Sequence, residues 1–239
     1  MRLIKLIKNN LFIQNFFSTI LAAILHPYLE FSLSKYTAIK KALYITANDE
    51  THGSYIEFGI FTGSSFNFAM RINKKIDKIF GDTKCEFFGF DSFKGFGEIK
   101  TVDIHPFFKN ETFAVDKEKI LKNIKKNSLG QQFRIIEGFY QDTIKNKVPE
   151  DFNIKKARVI MIDCDLKESA KLALEFIRPS IQNGTIILFD DYIFYKGDPN
   201  KGEYSAFEEF KKKYPDIFFR RAFDYGYGSR AFIAYINKL

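Results

Sequence analysis

The run at 157–166, ARVIMIDCDL, closes on Asp163 and Asp165, and the run at 185–192, TIILFDDY, closes on Asp190 and Asp191. Both runs are apolar enough to be buried strands, and a carboxylate withdrawn from water without a partner is strongly disfavoured. Four such groups at two strand ends call for a cation, a proton or a set of donors. Oxygen donors without histidine suit a hard divalent cation such as Mg²⁺, which keeps some waters and shares its shell with substrate. Three carboxylates on one ion would leave the fourth free as a base. If strand geometry continued past the apolar run, Asp163 and Asp165 would point the same way, while Asp190 and Asp191 straddle a strand end. Helices are expected after both pairs, so capping of their first turns is a simpler use for one or two of these acids.

A second constellation lies upstream. The stretch EFGIFTGSS (57–65) places Gly59 and Gly63 where a strand should turn into a helix, a geometry that lets backbone approach a ligand beside free helix N–H groups. Its G-x-x-x-G spacing differs from the G-x-G-x-x-G of a dinucleotide pyrophosphate site. Asp91, in GFDSFKGF (89–96), follows about thirty residues later at the end of another apolar run, placed to accept from both hydroxyls of a ribose. Capping of the next turn is the alternative for Asp91. A ribose acid without a pyrophosphate loop points to a nucleoside cofactor that lacks phosphates, and S-adenosylmethionine fits.

The elements that must position these residues read as alternating strands and helices. Strand runs occur at 54–59, 85–91, 133–139, 157–165 and 185–191, and helical patterns near 64–78, 115–127, 167–178 and 203–213. Two further runs, 218–223 and 230–236, flank the short loop DYGYGS, which favours an antiparallel hairpin. The expectation is a Rossmann-like α/β fold: a seven-stranded sheet, mostly parallel with a C-terminal antiparallel hairpin, helices on both faces, and ligands at the carboxyl ends of the strands. Residues 92–111 lack a period and read as a lid loop.

Two cysteines inside apolar runs, Cys85 and Cys164, indicate neither a disulfide framework nor a zinc site, and a reducing cytoplasmic compartment is expected. The net charge of +8 comes mainly from lysines on helix faces, without the arginine and aromatic pattern of a nucleic-acid site. Residues 1–50 form an N-terminal extension to a domain at 51–239. Its start, MRLIKLIKNN followed by LFIQNFFSTILAAILHPYLEF, is basic and then apolar, too interrupted to be a spanning helix. One or two helices that pack on the domain or on a second copy are expected, with peripheral contact to the inner face of a membrane through residues 1–35 as the alternative.

EFGIFTGSS, GFDSFKGF, EGFYQDTI (137–144), MIDCDLKESAKLALEFIRP (161–179) and GTIILFDDY followed by KGEYSAFEEF (201–210) together resemble the macrocin-type, metal-dependent sugar O-methyltransferases of antibiotic biosynthesis. The resemblance implies a class I methyltransferase fold, S-adenosylmethionine as cofactor and a sugar hydroxyl held on Mg²⁺. It implies that Asp163, Asp190 and Asp191 hold the metal and that Asp165 is the general base. Glu57, Gly59 and Gly63, with Ser64, would line the methionine end, Asp91 and Ser92 the ribose, and Gly138 with Phe139 the adenine side; Asp163 also counts among the cofactor contacts. The chain departs from the family after D-x-D-L, where Lys167 replaces a usual aromatic and Ala170 a usual threonine, which directs attention to Lys167 for the acceptor. His105, in the lid, has no visible partner in the sequence. The acceptor implied is a small, nucleotide-linked or lipid-linked saccharide. A catechol-like acceptor and a non-catalytic cofactor-binding protein are the competing readings.

Overall fold

The computed structural model describes residues 10–24 and 26–237; the basic start of the N-terminal segment lies outside them. Two helices lead, α1 (Leu11–Ile24) and α2 (Pro27–Asn48). There follow β1 (Ser54–Phe58), α3 (Ser64–Phe80), β2 (Phe87–Asp91), α4 (Lys117–Asn127), β3 (Phe133–Glu137), the single turn α5 (Tyr140–Thr143) and β4 (Ala157–Ile162). The chain ends with α6 (Lys167–Ile177), β5 (Ile186–Phe189), α7 (Gly202–Lys213), β6 (Ile217–Tyr225) and β7 (Ser229–Ile236). None of the described helices is by itself long and apolar enough to cross a membrane.

The seven strands form one sheet in the order β3-β2-β1-β4-β5-β7-β6. β1 to β5 pair in parallel, while β7 enters antiparallel to both β5 and β6. β1, β4 and β5 are buried along their whole length, as expected of parallel strands covered on both faces. Alternation then divides the core. Ile160 and Ile162 pack with Ala170, Leu174 and Phe207 from α6 and α7, whereas Val159 and Met161 pack with Ile39, Leu43 and Phe66 from α2 and α3. The amino half of α2 has no buried residue before Ala38. Its carboxyl half is tied to the sheet by the fully buried Arg158, which donates to Thr46 Oγ1 (2.7 Å), the Leu43 carbonyl (2.6 Å) and Asn73 Oδ1 (3.3 Å).

The strand order reverses between β1 and β4, and the crevice above such a reversal is where open α/β sheets bind ligands. Gly59 makes that crevice possible. Its φ is +92°, and a Cβ there would lie 1.7 Å from the Asp163 carbonyl oxygen, so only glycine lets β1 leave the sheet against the end of β4.

Residues 92–111 are a loop, as their sequence indicates, with a 3₁₀ turn at Thr101–Asp103. The base of the loop is closed by the isolated bridge between Lys94 and Ala114 and by Val115 N–H donating to the Phe93 carbonyl (3.1 Å).

Candidate active site

The parallel pairing of β4 and β5 brings the two acidic strand ends side by side. Asp163 N–H donates to the Phe58 carbonyl and Asp190 N–H to the Ile162 carbonyl, so both loops leave the sheet at the same height. Carboxylate oxygens of Asp163, Asp190 and Asp191 lie within 4.8 Å of one another. Asp165 joins them by a route that strand periodicity does not describe: β4 ends at Ile162, and Asp165 takes a left-handed φ of +58° that turns its side chain into a hydrogen bond with Asp191. Burial, reinforced by the Asp163 charge, pushes Asp165 up to about 8. Burial likewise raises Asp190 and Asp191 well above the carboxylate range.

One polar atom of this cluster is left over. Asp190 Oδ1 is buried and has no hydrogen-bond partner among the described residues. An all-oxygen donor set with an unpartnered buried oxygen fits a hard divalent cation held by Asp163, Asp190 and Asp191.

Three residues essential to this arrangement escaped the sequence reading. Lys35, on α2, places its Nζ 2.8 Å from Asp163 Oδ2 and 2.5 Å from Asp190 Oδ2. Burial works against its charge, but the two carboxylates outweigh burial and raise its pKa well above the usual lysine value. Glu203, fully buried in the first turn of α7, accepts from Cys164 N–H (3.3 Å) and Asp191 N–H (3.1 Å), tying the two acidic loops together. Asp103, from the lid, accepts from Lys167 N–H (2.7 Å) and Glu168 N–H (3.5 Å). Asp103 therefore caps α6, whose own cap position, Leu166, offers no side-chain acceptor. Asp163 and Asp165 are thus not needed as caps. The only local signal for Glu203 is an acid in a helix first turn, and Lys35 and Asp103 show none.

A cavity of about 630 Å³ opens above the sheet and holds the acids on one side, with Gly59, Ser64, Asp91, Ser92, Gly138, Phe139 and Asp163 on its wall. Asp91 serves the capping use considered for it and also faces the cavity. Its Oδ2 accepts from Ile60 N–H (2.7 Å) and Phe61 N–H (2.8 Å), and its Oδ1 from Phe93 N–H (2.6 Å), so it braces the glycine turn while lining the cavity. Glu57 and Gly63 are not brought to the wall. Glu57 lies inside β1 rather than beyond its end, where it accepts from Tyr55 Oη (2.6 Å) and Ser65 Oγ (2.5 Å), and burial pushes it up to about 7. Gly63 opens α3 with φ +75°, its α-carbon facing Ile124.

Lys167 points elsewhere as well. Its Nζ pairs with Glu209 on α7 at 2.7 Å, and Ser169, one residue beyond its neighbour, faces the cavity instead. His105 does have partners: its ring packs on Phe108 (4.6 Å between centroids) and Tyr195 (5.2 Å) at the cavity edge. Phe96, Phe107 and Phe108 line the cavity with it, whereas Phe93 is buried in the core.

The sequence profile of the macrocin O-methyltransferase family matches residues 33–214, from Lys35 through the acidic loops and α7. The chain belongs to this family. A curated relative, the 8-demethyl-8-(2,3-dimethoxy-alpha-L-rhamnosyl)-tetracenomycin-C 4'-O-methyltransferase of Streptomyces olivaceus, is 29% identical over 152 residues, 60% of this chain and 54% of that protein. The chain thus spans about half the length of the curated relative it matches. The fold is also that of the O-methyltransferase NovP (TM-score 0.66, 20% identity, 84% of this chain and 79% of that one). It is shared with the calicheamicin methyltransferase CalS11 (TM-score 0.63, 20% identity, 97% and 90%). An O-methyltransferase from Bacillus cereus, solved in complex with SAH, has the same fold more distantly (TM-score 0.51, 15% identity, 82% and 80%). In this macrocin-family chain, α1 lies outside the matched span and Lys35 just inside it.

Proposed function

We propose that this protein is an S-adenosylmethionine-dependent O-methyltransferase that methylates a saccharide hydroxyl with the help of a divalent cation. The observation that carries the reading is the meeting of Asp163, Asp190 and Asp191 beside Asp165 in the same cavity as the Gly59 turn and Asp91. Family membership supports the transferred group, and the curated relative, by name a methyltransferase of a rhamnosyl compound, supports a sugar acceptor.

S-adenosylmethionine supplies an electrophilic methyl group, and a bound Mg²⁺ lowers the pKa of a hydroxyl and orients it. The chain's own residues do the rest. Gly59 and Ser64 border the methionine end, Asp91 and Ser92 the ribose, and Gly138 and Phe139 the adenine. Asp163, Asp190 and Asp191 would hold the cation, and Asp165 would accept the hydroxyl proton as the methyl passes from the sulfonium to the oxygen, the C–S bond breaking to leave the thioether. The lid, fastened to α6 through Asp103, and the rings of His105, Phe107 and Phe108 shield the reacting centre from water and offer faces to a sugar ring. The test is a panel of nucleotide-linked sugars, lipid-linked sugars and catechols with radiolabelled cofactor. Label is expected in saccharides only; transfer to catechols alone would refute the sugar reading, and cofactor binding without transfer would favour a non-catalytic protein.

The N-terminal extension bears on which saccharide is reached. α1 exposes Leu11, Phe12, Phe16, Phe17, Ile20, Leu21 and Ile24. No acidic residue precedes Glu30, while Arg2, Lys5 and Lys8 precede α1. This complements an anionic lipid surface at the inner membrane face, and Pro27 and Tyr28, just past α1, lie at the cavity mouth. The acceptor would then be lipid-linked. Co-sedimentation with phosphatidylglycerol vesicles is expected for the full chain and is lost when residues 1–24 are deleted. If deletion instead dissociates a homo-oligomer and vesicle binding is absent throughout, α1 is a subunit interface.

A further inference from the structure

We infer that Lys35 is an intramolecular occupant of the cation site: its ammonium neutralises Asp163 and Asp190 until the divalent cation displaces it, which releases the amino half of α2 from the cavity mouth. The inference rests on the cation reading above.

The ammonium takes Oδ2 of Asp163 and Oδ2 of Asp190, two of the three carboxylates that would bind the cation. Mg²⁺ needs oxygen ligands at about 2.0–2.1 Å, so a second cation hydrogen-bonded to the same two carboxylates would be repelled at close range in a buried site. The lysine stem also has somewhere to go. Phe31, one turn earlier on α2, already holds its ring 5.3 Å from Nζ and stacks on Tyr227, so the ammonium keeps an aromatic neighbour when the carboxylates are taken from it.

Displacement would be felt along α2. Before Ala38 this helix has no buried residue. Besides Lys35, the described contacts holding that half are Gly226 N–H donating to Ser34 Oγ (3.0 Å), Tyr227 Oη donating to Glu30 Oε2 (2.7 Å) and the stacking of Phe31 on Tyr227 and of Tyr36 on Phe68. Tyr28, Phe31, Ser32 and Lys35 from the same half line the cavity. Loss of the ion pair therefore loosens the part of the cavity wall that α2 supplies, so that cation loading and access to the cavity are linked.

The probe is Mn²⁺ alone, titrated by electron paramagnetic resonance against the full-length protein without cofactor or acceptor. Removing a competitor that fills most of the site is expected to tighten Mn²⁺ binding roughly tenfold in Lys35→Met. Lys40→Met, an equal charge change at an exposed position of the same helix, is expected to leave affinity within about twofold of wild type. Hydrogen exchange of residues 28–36 should accelerate on adding Mg²⁺ in wild type and be fast already in Lys35→Met. Unchanged or weaker Mn²⁺ binding in Lys35→Met, or exchange indifferent to Mg²⁺ in wild type, overturns the inference while leaving the cation site intact. Wild type that binds no Mn²⁺ overturns the cation reading itself. Calorimetry with S-adenosylhomocysteine verifies folding, and Lys35→Gln replaces the Met variant should that one fail to fold.

Discussion

Asp165→Asn is expected to lower turnover by about 10²–10⁴, the usual worth of a positioned general base, while cofactor affinity stays near wild type. The substitution is nearly isosteric, and the new amide keeps a polar group facing Asp191, so the buried loop retains a hydrogen bond in place of the one Asp165 accepts there. What is lost is the capacity to take a proton. Asp165 suits that task because burial and the neighbouring Asp163 charge raise its proton affinity far above that of an exposed aspartate, whereas Asp91 accepts from three backbone amides. Single-turnover methyl transfer, alongside calorimetry of S-adenosylhomocysteine binding, separates the outcomes. Undiminished transfer would remove Asp165 from the mechanism, and a parallel loss of cofactor binding would show that its role is to support the cavity.

Removal of divalent cations is expected to be nearly as severe. Lewis-acid stabilisation of several kcal/mol corresponds to roughly a thousandfold in rate, so chelation with EDTA should nearly silence the enzyme and added Mg²⁺ restore it. Asp190→Ala should resist that rescue, because it deletes the buried Oδ1 that has no partner among the described residues together with one of the two acids gripped by Lys35. The measurement is initial rate against free Mg²⁺ for both proteins after EDTA treatment. Turnover that ignores EDTA would exclude a cation from catalysis and leave the acid cluster to Lys35.

Much of the scaffold was legible because it is written at short range. Continuous apolar runs such as ARVIMI and IILF report strands buried on both faces, and the DYGYGS loop reports the hairpin of β6 and β7. The resemblance of the acidic motifs likewise placed the cluster at the carboxyl ends of β4 and β5. Local patterns misled where nearness in sequence to a motif is not nearness of the side chain to the cavity. Lys167 adjoins Leu166 in sequence beside the site, yet the helix that begins there carries its side chain to Glu209. Glu57 belongs to the glycine-turn motif, yet its place inside β1 buries it behind the cavity wall.

By itself, then, the sequence determined the alternating sheet and helices, the glycine turn, and the all-oxygen chemistry of the acidic strand ends, since these depend on residue type and on spacings of a few residues. Only the tertiary structure decided that Lys35 balances those acids and that Glu203 and Asp103, themselves acids, fix the loops and helix beside them. Lys35 meets Asp163 across 128 positions, Glu203 meets Cys164 across 39, and Asp103 reaches Lys167 across 64. No periodicity encodes such pairings. They form because the strand order juxtaposes β1, β4 and β5, and because burying four carboxylates together makes any cation or donor that the topology brings near them energetically decisive.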